Sequence, residues 1–176
     1  MIGNYSDNKH NHCKTVAEVM YENAKAFGIY NKLAFAVGLV HDVGYIDSWR
    51  GHEDTGAYIL KAMGVSGDCL DAVRYHGKSG YWFIGNGMRK HISPMLLLLQ
   101  FADMIVDGKG NIVGFDARLS EIKERYGDES PEYDGSVLVV DFLKEVLQFN
   151  GSDAEISLQP VDEDTLLKRI YDVKAK

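Results

Sequence analysis

The sequence predicts an all-α protein, a single-domain helical bundle of about seven or eight helices. Three observations support this fold class. Only 3 prolines occur among the 176 residues. Apolar residues recur at intervals of three and four along most of the chain, which is the period of an amphipathic helix. No linker, internal repeat or low-complexity tract divides the sequence, so we expect residues 1–176 to form one domain.

The first helix is predicted from about Asn11 to Phe27, and Gly28 after it is typical of a helix C-terminus. The apolar residues of this segment share one face with Val16. His12 lies four residues before Val16, so its imidazole belongs to the same inward stripe. The pattern therefore places a histidine at the start of a buried helix face.

The second helix carries the most informative stretch of the chain, LAFAVGLVHDVGY at Leu33–Tyr45. This stretch has no charged residue before His41 and Asp42, and it predicts a buried helix that ends near Gly44. A buried, ionised aspartate is unfavourable unless a partner compensates its charge. A metal ion is one such partner. The alternative is that the two residues lie at a partly exposed helix end.

A third helix is predicted over Gly56–Met63, with Asp54 as its candidate N-cap. The preceding Ile46–Gly51 is predicted to be a loop, so His52 stands at the entrance of the helix. That position suits a helix cap as well as a metal ligand.

The fourth helix is predicted over about Ser66–His76, with His76 on the apolar face that contains Val73. The following segment, Lys78–Ser93, has three glycines among aromatic and basic residues. It is predicted to be a long irregular loop, and such loops in compact domains often carry function.

A fifth helix is predicted to begin at Ser93-Pro94, a favourable N-cap followed by a favourable first helical residue. Its apolar stripe includes Leu96 and Leu99. Asp103 lies seven residues after Leu96 and four after Leu99, on the same face. The helix thus carries a second carboxylate within an apolar stripe.

The C-terminal part of the chain is predicted to form further helices that pack on the core. They cover Phe115–Tyr126, Val137–Leu147 and Leu166–Val173. The segments Asp128–Gly135 and Asn150–Pro160 are predicted to be the loops that join them. No residue of this part is predicted to take part in the chemistry.

The composition predicts a soluble, cytoplasmic protein. The net charge is −7 and no basic run stands out, which argues against duplex nucleic acid as a partner. The first residues are polar, unlike a signal peptide, and the apolar run Met95–Leu99 is too short to span a bilayer. Cys13 and Cys69 are too few for a disulfide framework and are predicted to be small core residues. A homo-oligomer is compatible with the sequence.

Six histidine and aspartate side chains are predicted to face the interior or to stand at a helix entrance. They are His12, His41, Asp42, His52, His76 and Asp103. Imidazole nitrogens and carboxylate oxygens without a thiolate suit iron, manganese or zinc, so the sequence predicts a site for one or two divalent ions. The spacing does not match a zinc finger, an HExxH helix, a Walker A loop or an EF-hand.

These residues, in order and with their flanking sequences, resemble the H…HD…D signature of the HD-domain superfamily. The resemblance covers roughly residues 10–107 and includes GLVHDVGY, GHEDTGAYIL, AVRYHG and LLQFADMI. HD domains are helical metal sites, and most of them are phosphohydrolases of nucleotides and related phosphate esters. The resemblance implies an HD-type bundle with one ion held by His12, His41, Asp42 and Asp103, and a second held by His52, His76 and a bridging Asp42.

The resemblance further implies a metal-dependent phosphohydrolase that cleaves a phosphate ester or anhydride through a metal-activated water. A small phosphorylated substrate such as a nucleotide is the expected partner. The candidate catalytic residues are Asp42 as the bridging ligand, Glu53 as a proton acceptor or orienting group, and Lys78 as a phosphate contact. Tyr45 stands where the HD-GYP phosphodiesterases of this superfamily have a lysine, which argues against their cyclic dinucleotide substrate. Two alternatives remain open: a di-iron oxygenase of the same superfamily and a non-catalytic nucleotide sensor.

The 78–93 segment supplies candidate contacts for a phosphate and for a base. They are Lys78, Arg89, Lys90, Tyr81, Trp82 and Phe83. The basic residues have an ordinary alternative as solvated charges, and the aromatic ones as packing within the loop. Glu53 has the alternative role of favouring the dipole of its helix. His10 and His91 are predicted to be surface residues.

Overall fold

The computed structural model describes residues 7–47, 51–148 and 161–174, and these residues confirm the all-α prediction. Within them the only β-type pairing is an isolated bridge between Val106 and Ile112. None of the helices in these ranges combines the length and the apolar character that a membrane span needs. The α-helices are α1 (Asp7–Asn23), α2 (Asn31–Val40), α3 (His52–Ala62), α4 (Gly67–Tyr75), α5 (Gly80–Gly85), α6 (Pro94–Ile105), α7 (Phe115–Tyr126), α8 (Pro131–Leu147) and α9 (Glu163–Asp172).

The first two helices pack closely against each other. α1 continues as a 3₁₀ turn over Ala24–Phe27 and stops at Gly28, whose φ of +68° favours glycine. Gly38 allows the close approach of α2, because a Cβ at this position would lie 2.7 Å from the Cα of Ala17. The predicted stop at Gly28 is confirmed, whereas the helix starts four residues before the predicted Asn11.

α2 is shorter and more exposed than the buried helix that the sequence predicts. It ends at Val40 rather than near Gly44. Leu33 and Leu39 are 45% and 38% exposed, so one side of the helix faces solvent. A continuous apolar run does not by itself distinguish a helix buried all round from one that leaves apolar side chains at the surface.

His41 and Asp42 lie at the break that follows α2. His41 keeps helical dihedral angles, whereas Asp42 has φ −99° and ψ 14° and is followed by a 3₁₀ turn over Val43–Ile46. This turn brings Gly44 against α3, where a Cβ would lie 1.8 Å from the carbonyl oxygen of His52. The break therefore carries Asp42 from α2 towards the first residue of α3.

α3 begins at His52 rather than after the predicted N-cap Asp54. The residue before it is Gly51, with φ +69°, and no side chain caps the helix. Asp54 lies in the first turn with an exposed side chain, where its charge favours the helix dipole. The N-cap prediction is therefore wrong. The predicted loop Ile46–Gly51 includes residues 48–50, which lie outside the described ranges.

The prediction of an irregular loop over Lys78–Ser93 is wrong, because this segment contains α5 and a 3₁₀ turn over Arg89–His91. The oxygen Oγ of Ser79 accepts a hydrogen bond from the N–H of Trp82 and so caps α5. Gly80 is required by packing, because a Cβ there would lie 2.1 Å from the ring of Phe142, whereas a Cβ on Gly85 or Gly87 would meet no atom within 4 Å. Gly80 is typical of a loop in sequence, but here it permits close contact with α8.

α6 is the central helix of the core and follows the prediction closely. Ser93 caps it by accepting from the N–H of Leu96 at 3.2 Å, and Pro94 is its first residue. Nearly all of its side chains are buried, and it packs against α1, α4, α7 and α8. It therefore places Asp103 at the centre of the bundle.

The C-terminal helices pack on this core. α7 has the predicted bounds, whereas α8 begins at Pro131, so much of the predicted loop Asp128–Gly135 is helical. Ser130 explains the difference, because it caps α8 by accepting from the N–H of Tyr133 at 3.1 Å. The predicted loop Asn150–Pro160 lies outside the described residues. Arg89 donates to the carbonyl oxygens of Ile170 and Val173 and so ties α9 to the bundle.

Candidate metal centre

The structure brings all six predicted ligand residues to one place. They come from the first turns of α1, the break after α2, the start of α3, the end of α4 and the last turn of α6. His12, His41 and His76 are at most 6% exposed, and Asp42 is 3% exposed. The six residues are His12, His41, Asp42, His52, His76 and Asp103.

Every histidine of this cluster has an anchored Nδ1. His12 Nδ1 lies 2.9 Å from the carbonyl oxygen of Asp107. His41 and His76 each reach the carbonyl three residues earlier in their own helix, at 2.7 and 2.8 Å. His52 Nδ1 lies 3.3 Å from the carboxylate of Glu53. An acceptor at Nδ1 places the proton there and leaves the Nε2 lone pair free to ligate a metal.

The four Nε2 atoms converge on two carboxylates. The two oxygens of Asp42 face different histidines: Oδ2 lies 3.3 Å from His41, and Oδ1 lies 3.3 and 3.6 Å from His52 and His76. The carboxylate therefore stands between two groups of imidazoles, which is the arrangement that a bridging ligand requires.

Asp103 completes the first of these groups. Its Oδ1 lies 3.0 Å from His12 Nε2 and 3.9 Å from His41 Nε2. The Nη2 of Arg118 is 3.8 Å from the same oxygen. The same oxygen of Asp103 thus lies near two imidazoles and one guanidinium.

Electrostatics keep both carboxylates ionised. Burial alone would raise the pKa of Asp42, but His41, His52 and His76 hold this pKa well below its ordinary value through charge and hydrogen bonds. The pKa of Asp103 is likewise lowered, because His12 and Arg118 outweigh burial.

The pKa of His76 moves in the opposite direction. Burial disfavours its charged form, but the hydrogen bond and the charge of Asp42, with a contribution from Asp103, raise the pKa to about 9.

The donor set fits a divalent ion. Three sets of ligand atoms each lie within 4.8 Å of one another: those of His12, His41 and Asp42; of His41, His76 and Asp103; and of Asp42, His52 and His76. Among the described residues, His41 Nε2 is a buried nitrogen with no hydrogen bond. His52 Nε2 and His76 Nε2 lie 3.4 Å apart, and both lie beside Oδ1 of Asp42. Nitrogen and oxygen ligands without sulfur suit iron, manganese or zinc.

Two side chains near the cluster were not expected from the sequence. The ammonium group of Lys9 forms an ion pair with Asp42 and lies 3.9 Å from the ring centroid of Tyr45. Tyr45 in turn stacks on His52 with a centroid separation of 3.9 Å. A signal for Lys9 existed, since it stands three residues before His12 and so shares its helix face.

The cluster opens into a cleft of about 180 Å³ whose other wall is α7 and α8. Arg118, Arg125 and Tyr126 line it from α7, so the C-terminal part of the chain does contribute to the site. That this part takes no part in the chemistry stays a prediction. Arg118 could have been found, because it lies four residues before Ile122 and thus within the apolar stripe of its helix.

Glu53 lines the cleft, whereas Lys78 is not among its lining residues. Lys78 has an exposed side chain whose ammonium group is 5.8 Å from the ring of Trp82. The backbone of Lys78 does support the site, because its carbonyl oxygen and that of His76 both accept from the amide of Gln100. The position of Lys78 therefore does not favour a contact with phosphate.

The other candidates of the 78–93 segment also lie away from the cleft. Arg89 is engaged with α9, and Lys90 is exposed. Tyr81 and Phe83 are buried core residues, which leaves Trp82, at 38% exposure, as the accessible aromatic residue of the three. Tyr81 and Phe83 therefore serve packing and are not exposed for stacking on a base.

The remaining predicted surface and core residues are placed as follows. His10 is exposed, whereas His91 is only partly exposed and lies 3.0 Å from Asp71. Cys13 is buried and Cys69 is partly buried against the core.

Comparison with known proteins gave one result. A family model described as the HD domain matches residues 10–105, which is more than half of the chain. The match includes all six residues of the cluster. The same comparisons found no matching curated protein and no matching solved structure.

Proposed function

The chain belongs to the HD-domain family, which consists largely of metal-dependent phosphohydrolases, and we propose on this premise that it is one of them. The proposed reaction is hydrolysis of a phosphate ester or anhydride of a nucleotide or a related small molecule. The observation that carries the proposal is the convergence of four Nδ1-anchored imidazoles on the buried carboxylate of Asp42 and the partly exposed carboxylate of Asp103.

We propose that His12, His41, Asp42 and Asp103 hold one divalent ion, and that His52, His76 and Asp42 hold a second. The two oxygens of Asp42 support this division, because each faces a different group of histidines. Bound ions of this kind supply Lewis acidity and an activated water for attack on phosphorus. The identity of the metal is proposed only as iron, manganese or zinc.

Side chains around the proposed ligands would orient them and accept a proton. Glu53 orients His52 through Nδ1 and lines the cleft, so it is placed to accept a proton from a group bound there. Its carboxylate fits because residue 77 is glycine: a Cβ there would lie 2.8 Å from Oε1 of Glu53. Lys9 pairs with Oδ2 of Asp42 at the wall of the cleft and so holds this carboxylate in position.

The experiment is elemental analysis of the freshly purified protein together with a phosphate-release screen over nucleotides. We expect one or two transition-metal ions per chain, and phosphate release from at least one nucleotide. Asp42→Ala should lose metal and activity together, because it removes the carboxylate shared by both groups of ligands. Asp116→Ala is the matched control, since its side chain lies on α7 and is 74% exposed.

Three outcomes would contradict the proposal. Full metal content in Asp42→Ala would refute the bridging assignment. Oxygen consumption without phosphate release would indicate an oxygenase with the same ligands. Nucleotide binding without turnover at full metal loading would indicate a sensor.

A further inference from the structure

α7 carries two arginines that line the cleft and lie outside the HD match. Arg118 and Arg125 are seven residues apart on one face of the helix. Their Cα atoms are therefore separated by about 10 Å along the helix axis. Arg118 adjoins Asp103, and its side chain is 10% exposed, whereas that of Arg125 is 49% exposed. The pair thus extends from the metal ligands towards solvent.

One carboxylate holds both guanidinium groups in place. Glu121 lies between them in sequence, and its Oε2 pairs with Nη1 of Arg118 while its Oε1 pairs with Nη2 of Arg125. The N–H of Gly108 donates to the same carboxylate at 3.1 and 3.3 Å. Arginine has five N–H donors, so each side chain keeps donors that Glu121 does not use.

Arg118 has donors that the protein itself leaves unsatisfied. Its Nε is buried and has no hydrogen-bond partner among the described residues. Its Nη2 is 3.8 Å from Asp103, which is too far for a hydrogen bond. Buried polar groups without partners are uncommon in native proteins and call for an explanation, such as a ligand.

The chemistry of the pair favours a phosphate group. The guanidinium fork matches the oxygens of phosphate in geometry as well as in charge. The lining of the cleft carries Lys9, Arg118 and Arg125 together with the carboxylates of Asp42, Glu53, Asp103 and Glu132, so divalent ions held by the proposed ligands would leave the cleft with a net positive charge. A volume of about 180 Å³ is below the roughly 300–1,000 Å³ of pockets that enclose a drug-sized ligand. The cleft is therefore suited to phosphate groups rather than to a whole nucleotide.

We propose that Arg118 and Arg125 bind the anionic group next to the phosphate that is cleaved. The substrates would then be phosphate anhydrides, or other compounds with two adjacent anionic groups, in preference to simple monoesters. This inference rests on the proposed function, because it assumes that the metal cluster receives the scissile phosphate.

The test compares two non-hydrolysable probes, methylenediphosphonate and methylphosphonate, in calorimetric titrations of the metal-containing protein. The wild-type protein should bind the diphosphonate at least about tenfold more tightly, since a charge-assisted hydrogen bond contributes that much or more. Arg125→Gln should remove most of this preference at unchanged metal content. Arg125→Lys should keep part of it, because it retains the charge but not the fork.

Lys123→Gln is the matched control. Lys123 lies on the same helix, is also 49% exposed, pairs with Asp128 and does not line the cleft. Arg118 is tested as Arg118→Lys, because removal of its buried charge could unfold the site. This variant should bind the diphosphonate more weakly, with methylphosphonate binding and metal content unchanged. Loss of metal in Arg118→Lys would show a structural role and overturn the assignment of Arg118.

Equal affinity of the wild-type protein for the two probes, or an unchanged preference in Arg125→Gln, would overturn the inference. Failure of the proposed function can be distinguished from failure of this inference. A diphosphonate preference that depends on Arg125 in a protein without phosphohydrolase activity would refute the function and keep the binding site. Phosphate release together with no effect of Arg125→Gln on probe binding would support the proposed function and refute the binding site.

Discussion

Each histidine of the cluster makes one contact through Nδ1 and presents its Nε2 to a carboxylate. For His41 and His76 the Nδ1 acceptor is a carbonyl of their own helix, so local geometry fixes the ring. For His52 the acceptor is a side chain, Glu53, at 3.3 Å. The orientation of His52 therefore depends on a residue that can be replaced without altering a ligand.

Glu53→Gln should weaken metal binding while it leaves all six ligand residues in place. The neutral amide holds His52 less firmly and makes its imidazole less basic, and loss of such an outer contact typically lowers metal affinity by about 10- to 100-fold. Titration against a competing chelator measures the effect. Asp54→Asn is the control, because the neighbouring side chain is 85% exposed. Equal affinities in the wild-type protein and Glu53→Gln would show that Glu53 does not orient His52.

The contact between the 3₁₀ turn over Val43–Ile46 and α3 depends on Gly44. Gly44→Ala should destabilise the protein by about 1–3 kcal/mol, the usual range for overpacking, or more, because the added Cβ meets backbone atoms that cannot rotate away. Urea unfolding gives the free energy. Gly85→Ala is the control, since a Cβ at that position meets nothing within 4 Å. Similar unfolding free energies for the two variants would contradict the described approach of the turn to α3.

At the scale of elements, the turn after α6 links the first and the last predicted ligand. The carboxylate of Asp107 accepts from the N–H groups of Lys109 and Asn111 at 2.9 and 2.8 Å. The carbonyl of Asp107 accepts from His12, and that of Gly110 accepts from Thr15. The turn therefore holds α1 against α6 and aims His12 at Asp103.

Asp107→Ala should loosen this turn and thereby the ring of His12. The expected result is a metal affinity lower by about tenfold or more, because the carbonyl that accepts from Nδ1 is no longer fixed. Chelator competition measures it, with Asp128→Ala as an exposed control. Thr15→Val should act in the same direction, since it removes the second bond between α1 and the turn. Unchanged affinity in both variants would show that the turn does not position His12.

Local sequence predicted some of the helices and site residues and missed others. His12 and Asp103 were predicted because each interrupts an apolar stripe at helical spacing, and the start of α6 because Ser93-Pro94 is a strong signal. Ser130-Pro131 is the same signal at α8, but the acidic segment around it suggested a loop. α5 was missed because Gly80, which suggested a loop, permits packing against Phe142, a contact that local sequence does not reveal.

At the scale of the whole molecule, the site depends on parts of the chain that are distant in sequence. α1, the turn after α2, α3, α4 and α6 carry the proposed ligands, and α7 lines the cleft. The clustering of the proposed ligands was predictable from local sequence patterns, whereas the cleft wall depends on the packing of α7 against α6, which those patterns do not reveal. We propose that residues 1–176 act as one domain for this reason.

Removal of the metal should therefore destabilise the protein as a whole. An ion that binds only the folded state at about 100 times its Kd adds roughly 2.7 kcal/mol. For a chain of this size, that corresponds to a shift in Tm of about 5–10 °C. Thermal unfolding before and after treatment with EDTA, and after readdition of Mn²⁺ or Fe²⁺, measures it. A Tm that neither falls with EDTA nor recovers with metal would contradict a metal centre that joins these helices.

The most direct test of the account is anomalous diffraction from a crystal of the metal-loaded protein, collected at the absorption edge of the metal. We expect one peak among His12, His41 and Asp103 and a second between His52 and His76, with Asp42 between the two. A mononuclear site would give one of these peaks. Peaks bound elsewhere, with the six side chains free of metal, would contradict the assignment on which the proposed hydrolysis depends.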